Sequence, residues 1–287
     1  MFGDCHMHMV LDGVYYRDAI DHHKGHVDED MIRERLNAYR LAGITYLRDG
    51  GDAFGVAQAA ARIAPEFGIE YCTPITPICL KGRYGGFIGR TFETIADYRA
   101  LVDEVKAQGA DFIKLMISGL MDFNHFGVIT SEPLEFGLLK EMVHIAHEEG
   151  FSVMAHANGA ETIIRGLEAG IDSVEHGAYM NDEAVAAVAQ SGKVWVPTLV
   201  TIGNLIGDGR FPDDVLKPLL KLQQENVGKC ASLGGKIALG SDNGAYRVMH
   251  VQGTFDEYDL LKEALGENTD AVLSEGEREI RRRFVRV

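Results

Sequence analysis

The chain predicts an α/β protein and, within that class, one (β/α)8 (TIM) barrel over residues 1–287. Three observations carry this. A helix-stop glycine recurs before apolar runs, helical periodicity fills the segments between them, and every candidate chemical side chain falls near the carboxyl end of a run. Alternating strands and helices with short connections make a parallel sheet, and eight such units close most naturally into a barrel. An open doubly wound sheet is the alternative. If it bound a dinucleotide it would carry Gly-x-Gly-x-x-Gly after an early strand, and none follows the first or second run.

The first run is GDCHMHM, residues 3–9. Ala42-Gly43 then precedes ITYLRDGG, Phe67-Gly68 precedes IEYCTPITPI, Gln108-Gly109 precedes the DFIKLMISG run, and Glu149-Gly150 precedes FSVMAHANG. In the second half Ala169-Gly170 precedes IDSVEHGAY, Ser191-Gly192 precedes KVWVPTL, and Gly234-Gly235 precedes KIALGSDNG. Glycine after a last helical turn takes the left-handed cap conformation, so each is read as a helix stop feeding a strand. Between runs, Ile32, Leu36, Tyr39 and Leu41 mark one helical face, and Leu138, Leu139, Met142, Val143 and Ile145 another.

The fourth run is apolar on both faces, as expected of a parallel strand covered by helices. Phe112, Lys114, Met116 and Ser118 share one face, and Ile113, Leu115 and Ile117 the other. A buried ammonium costs several kcal/mol unless it is paired, neutral or chemically changed, so Lys114 is either ion-paired or functional.

A net charge of −15 and a pI near 5.1 argue against a nucleic-acid partner, which needs a basic face. There is no long apolar run and no basic-then-apolar leader, so a soluble cytoplasmic protein without a membrane span is expected. Cys5, Cys72, Cys79 and Cys230 are widely spaced and read as reduced thiols.

A barrel places chemistry at the carboxyl ends of its strands. His6 and His8 end the first run, Lys114 lies in the fourth, His156 ends the fifth, His176 the sixth and Asp242 the eighth. Even spacing from Met154 to His156, Val174 to His176 and Gly240 to Asp242 predicts that all point to the barrel axis. Four imidazoles, a carboxylate and a lysine converging there supply the ligands of Zn²⁺, Mn²⁺, Fe²⁺ or Co²⁺.

On these residues the chain resembles the amidohydrolase superfamily of metal-dependent hydrolases. His6-x-His8, Lys114 in IKLMISG, His156 in MAHANG, His176 in SVEHG and Asp242 in GSDNG carry the resemblance. The stretches Tyr46–Gly51 and Glu168–Gly177 are similar to the branch holding imidazolonepropionases and Xaa-Pro or Xaa-Arg dipeptidases (prolidases). The resemblance implies a lysine carboxylated by CO2 at position 114 bridging two divalent metals, zinc first among them. It implies His6, His8 and Asp242 on one metal and His156 and His176 on the other. Asp242 would shuttle the proton of a metal-bridging hydroxide during cleavage of a C–N bond in a dipeptide or N-acyl amino acid. Lactone or phosphoester hydrolysis on the same centre, or a non-catalytic metal- or small-molecule-binding barrel, are the alternatives.

Three departures bear on substrate. No β-sandwich of the kind usual in the family is expected, because the first run starts at the beginning of the sequence and only forty-odd residues follow Asp242. The lysine strand also ends Ser118-Gly119-Leu120 rather than Ser-Gly-Gly, and Lys81–Gly86 replaces Thr-Gly-Gly-His. Arg83, Tyr84, His125, Tyr179, Arg247 and His250 follow strands on the catalytic rim and are the candidate substrate contacts, an arginine suiting a carboxylate. His22, His23 and His26 lie in a long first loop that reads as a polar lid. The tail from Glu275 is expected to pack through Ile280, Phe284 and Val285 on the barrel or on a partner in a homo-oligomer. Its run of Glu277, Glu279, Arg281, Arg282 and Arg283 reads as a solvated face.

Overall fold

The computed structural model of the protein describes residues 3–285. Ten strands follow in order: β1 Asp4–Met7, β2 Tyr46–Asp49, β3 Glu70–Cys72, β4 Ile78–Leu80, β5 Arg90–Phe92, β6 Ile113–Met116, β7 Val153–Ala157, β8 Ser173–His176, β9 Val194–Val196 and β10 Lys236–Ile237. They form two parallel sheets, β1-β2-β3 and β10-β9-β8-β7-β6-β4-β5, with helices between successive strands except from β3 through β5, which follow one another without a helix. Backbone bonds also run from one sheet to the other. The Asp111 N–H ahead of β6 donates to Thr73 O after β3 at 2.9 Å, and the Cys5 N–H in β1 donates to Leu239 O after β10 at 2.8 Å.

The seven glycine stops behave as expected: Gly43, Gly68, Gly109, Gly150, Gly170, Gly192 and Gly234 all have φ between 67° and 103°. Helix starts are capped by side chains. Asp28 accepts from the Met31 N–H at 3.0 Å to open the helix Glu29–Leu41, and Thr94 and Asp97 form a reciprocal capping box for Ile95–Ala107. Ile32, Leu36 and Tyr39 face the core, but Leu41 is 70% exposed, because it falls in the last turn after the buried stripe has rotated away.

The third run departs from expectation. It is not one strand: β3 ends at Cys72, and β4 starts only at Ile78. Pro74 and Pro77 lie between, and proline cannot donate to a ladder. The segment turns instead, and β4 pairs with both β5 and β6.

The main core lies between strands and helices, where Ile113, Leu115 and Ile117 pack with Met142, Val143 and Ile145. A separate cluster on the inner side of the strands joins Cys5, Tyr46, Phe112, Met154, Val194 and Val196 to Ile280 and Phe284 from the C-terminal helix Thr269–Arg283. That helix closes off this inner cluster. Phe284 stands edge-on to Phe112 at 5.3 Å, with the Arg48 guanidinium 4.4 Å from its ring centre. Val285 is 51% exposed, and Arg286 and Val287 lie outside the described residues. The charge run is only in part the solvated face expected of it: Arg282 is exposed, but Glu279 is not. Glu279 is buried and binds Arg282 and Arg283, with the Lys236 ammonium at 3.3 Å, while Glu277 pairs with Arg281 at 2.8 Å. The helix has docked, and these groups satisfy one another at its contact.

All four cysteines are free and buried. No helix among the described residues is long and apolar enough to cross a membrane.

Candidate active site

His6 lies in β1, His8 just after it, Lys114 in β6, His156 in β7, His176 at the end of β8, and Asp242 in the turn after β10. All six line one cavity of about 380 Å³. The imidazole ring centres are 5.5 Å apart for His6 and His8, 5.1 Å for His6 and His176, and 4.5 Å for His156 and His176. Asp242 Oδ1 stands 3.3 Å from His8 Nε2 and 3.6 Å from His6 Nε2. His6, His8 and Asp242 each offer a ligand atom within 4.8 Å of the others, the only such group of three among the described residues.

Strand alternation delivers only part of this set. Lys114 shares the inner face with Phe112, as expected, and is level with Met154 on the neighbouring strand. Val174, however, packs into the outer core, so the two-residue period alone would send His176 outward as well. His176 reaches the cavity because its backbone turns left-handed, with φ 69°. Asp242 does likewise at φ 59°, five residues beyond a strand that ends at Ile237 rather than continuing through GSDNG. Such backbone costs about 1–3 kcal/mol per residue and persists where its surroundings over-determine it. The Asp242 N–H donates to His6 O at 2.6 Å, and Asp4 accepts from the Ser241 N–H, the Ser241 hydroxyl and the Asn243 amide at 3.0, 2.6 and 3.1 Å. Two glycines make room. A Cβ at Gly50 would fall 2.3 Å from the His8 ring, and one at Gly240 would fall 2.7 Å from the His6 backbone nitrogen.

Of three residues that sequence reading did not assign, Glu175 and Thr198 hold imidazoles and Arg48 holds Glu175. Glu175 Oε2 is 2.8 Å from His6 Nδ1, and its carboxylate also accepts from Arg48 at 2.9 and 3.1 Å. Arg48 is fully buried in β2 and donates to Cys5 O at 2.6 Å and to Ser173 Oγ at 3.0 Å. Thr198 Oγ1 lies 2.7 Å from His176 Nδ1. His156 Nε2 lies 3.0 Å from Gly119 O. A carboxylate or carbonyl on one ring nitrogen fixes the tautomer and leaves the other nitrogen as a ligand. The signal for Arg48 was present: a cation inside the buried run YLRD poses the same question as Lys114.

Electrostatics favour uncharged bases. Burial pulls His8 and His156 down to about 3 and His6 and His176 well below the usual histidine value, reinforced by neighbouring positive groups, so all four imidazoles are neutral. Burial also lowers Lys114, against the pull of Glu175 and Asp242, and raises Asp242, against the pull of Lys114. His6 Nε2, His8 Nδ1 and Lys114 Nζ are buried without a hydrogen-bond partner.

Of the candidate substrate contacts, only Tyr84 lines the cavity, its ring 4.8 Å from His156. Arg83 is exposed outside it. His125 pairs with Asp122 at 2.8 Å, and Arg247 with Asp208 at 3.0 Å. Tyr179 packs edge-on against Phe126. His250 is a structural link, 2.8 Å from Leu11 O and 3.0 Å from the Tyr39 hydroxyl. Following a strand puts a residue on the rim but not against the cavity. The histidines of the first loop stay apart from it: His22 pairs with Asp28 at 2.8 Å, His23 is buried, and His26 is exposed. Other residues of that loop, Leu11, Val14, Tyr15 and Tyr16, do wall the cavity.

Comparison with known proteins places the fold among solved structures. An Xaa-Pro dipeptidase crystallised with methionine in its active site superposes with a TM-score of 0.77 at 21% identity, over 98% of this chain and 75% of that one. The ochratoxinase of A. niger superposes at 0.75 and 19% identity, over 97% and 70%. A prolidase complexed with N-methylphosphonate-L-proline superposes at 0.70 and 21% identity, over 99% and 72%. An uncharacterized protein of Mycobacterium tuberculosis is 29% identical over 114 residues, which is 38% of this chain and under a third, 31%, of that relative's length. The family model described as "Amidohydrolase family" matches residues 4–274, nearly the whole chain, and the chain belongs to that family.

Proposed function

We propose that the chain is a binuclear metal-dependent hydrolase that cleaves the C–N bond of a small amide or peptide, with a CO2-derived carbamate on Lys114. One observation carries the reading: the Lys114 amine is buried and has no hydrogen-bond partner, and His6 Nε2 and His8 Nδ1 in the same cavity are likewise buried and unpaired. Such a set of orphaned donors fits metal ions better than it fits a protein core. His6, His8 and Asp242 would hold one ion and His156 and His176 the other, with Lys114 between them. Zn²⁺ suits the nitrogen and oxygen donors, as would Mn²⁺, Fe²⁺ or Co²⁺.

The amine lone pair of neutral Lys114 would attack the carbon of CO2, a C–N bond forming as one C=O electron pair moves to oxygen, and the nitrogen would release one proton to water, leaving the carbamate anion. Burial favours this by disfavouring the ammonium. Bound divalent ions supply Lewis acidity, making water a nucleophile near neutral pH and polarising the scissile carbonyl. Asp242, its carboxyl raised by burial, takes the proton of the attacking water and returns it to the leaving nitrogen. Glu175 keeps the His6 Nδ1 proton in place throughout.

The same reading takes β1, β2, β3 and β6 to β10 as a closed (β/α)8 barrel forming one domain over 1–287. The backbone bonds from Cys5 to Leu239 and from Asp111 to Thr73 support it. Dipeptides and N-acyl amino acids are the substrates to try first, since an Xaa-Pro dipeptidase and a prolidase are among the fold neighbours.

Metal content and turnover test the proposal. Protein grown with Zn²⁺ or Mn²⁺ should carry two ions per chain and cleave members of an amide library, and Asp242→Asn should lose about 10²–10⁴ in kcat. Fewer than one ion per chain would remove the binuclear centre, and an active Asp242→Asn enzyme would remove the proton shuttle.

A further inference from the structure

Away from the histidines and Lys114, the cavity walls are aromatic and aliphatic, and they carry one cation. On one side, Tyr15, Tyr16 and Phe87 stand at the mouth, each 37–42% exposed. Tyr16 meets Phe87 at 5.2 Å, Phe87 meets Tyr84 at 5.8 Å, and Tyr84 meets His156 at 4.8 Å, so one run of rings leads from solvent to the centre. On the other side, Phe123 packs on Phe211 at 5.3 Å. Arg210 follows on that side, its guanidinium 4.3 Å from the Tyr246 ring centre and 5.3 Å from that of Phe211.

Arg210 has no carboxylate partner among the described residues, and the reason lies next to it. Asp208, the nearest acid in sequence, is already occupied: it accepts from the Tyr246 hydroxyl at 3.0 Å and pairs with Arg247 at 3.0 Å. Arg247 and Tyr246 thus satisfy Asp208, and Arg210, itself exposed, lines the cavity without an acid partner. Asp242 is the only carboxylate among the lining residues, and it belongs to the ligand cluster. A cationic substrate group would find no acid on these walls. An anionic one would find a planar guanidinium held by two rings, the geometry that grips a carboxylate bidentately.

We propose that Arg210 is the specificity-determining residue of this site. It selects substrates that join a bulky aromatic or long apolar group to one free carboxylate, and it rejects those with basic side chains. The proposal rests on the hydrolase reading for the fate of the bound molecule, but not for its binding.

Three ligands with the same apolar body and no amide separate the two: 3-phenylpropionate, 3-phenylpropanol and 3-phenylpropylamine, titrated calorimetrically into the metal-loaded protein. The acid should bind about 10–100-fold more tightly than the alcohol, the gain expected of a hydrogen-bonded charge pair. The amine should bind least well. Arg210→Met should abolish the preference for acid over alcohol and leave alcohol affinity unchanged. Phe123→Ala should weaken both. With a hydrolysed aromatic dipeptide, Arg210→Met should raise KM and leave kcat nearly unchanged.

Equal binding of acid and alcohol, or an Arg210→Met variant that keeps the preference, overturns the proposal while leaving hydrolysis standing. The second outcome would mean that the metal centre itself holds the carboxylate. Acid preference lost in Arg210→Met, with no amide cleaved by either protein, would keep the subsite and overturn the hydrolase reading.

Discussion

At Lys114, burial and the lack of a hydrogen-bond partner act in one direction: both make the ammonium expensive and leave the amine free to react. Lys114→Ala should therefore lose bound metal together with activity, by at least about 100-fold. A short carboxylic acid such as propionate, added with metal, should restore part of both; full metal content in the variant would refute the carbamate. Glu175 is the second residue whose role is sharp, because it faces His6 on one side and Arg48 on the other. Glu175→Gln should weaken metal affinity about 10–100-fold. It should also lower unfolding free energy by about 3–5 kcal/mol, since Arg48 is left buried with half its partners. Competitive chelator titration reads the first effect and urea unfolding the second. Equal metal affinity in the variant would mean that Glu175 serves Arg48 alone.

Among the elements, β8 and the C-terminal helix set the most. In β8, Ser173 and Glu175 face inward, Val174 faces the helices, and the left-handed turn at His176 breaks the alternation to bring that ring back to the centre. The apolar periodicity of the strand was legible; the reversal at its end was not, since a single φ leaves no mark in composition. The C-terminal helix was legible as apolar positions at helical spacing, and the structure shows what they bury. Phe284 is fully buried against Phe112 and Arg48, and Phe284→Ala should cost about 3–5 kcal/mol in urea unfolding. A cost under 1 kcal/mol would mean that the helix frays without consequence for the strands beneath it.

For the molecule as a whole, Asp172 ties several segments together and makes stability depend on acid. It accepts from the Val153 N–H at 2.9 Å and from Lys193 at 2.7 Å, meets His147 at 3.0 Å, and lies 3.5 Å from Arg283 of the C-terminal helix. Burial pushes its carboxyl up, but the bonds from His147, Lys193 and Val153 outweigh that and hold it at about 2. The folded value lies below the unfolded one, so the stabilisation is complete above about pH 4 and is lost as pH falls towards 2, amounting to about 2 kcal/mol. Urea unfolding of wild type and Asp172→Asn between pH 6 and 2 should show the variant less stable at pH 6 and the two curves converging in acid. Parallel curves would assign the acid sensitivity elsewhere.

The alternation of strands and helices, the seven glycine stops and the order of His6, His8, Lys114, His156, His176 and Asp242 were all determined by local sequence, because periodicity and cap chemistry are written within a few residues. So was Lys114 as an anomaly, since a charge within a run apolar on both faces stands out by itself. Only the tertiary structure decided that Glu175, backed by Arg48, holds His6, that Asp4 holds the residues flanking Asp242, that His176 and Asp242 turn inward, and that Arg210 rather than Arg83 or Arg247 lines the cavity. Those roles depend on partners dozens to hundreds of residues away in the chain, and a residue's neighbours in sequence do not reveal which charge, ring or carbonyl folding will bring beside it.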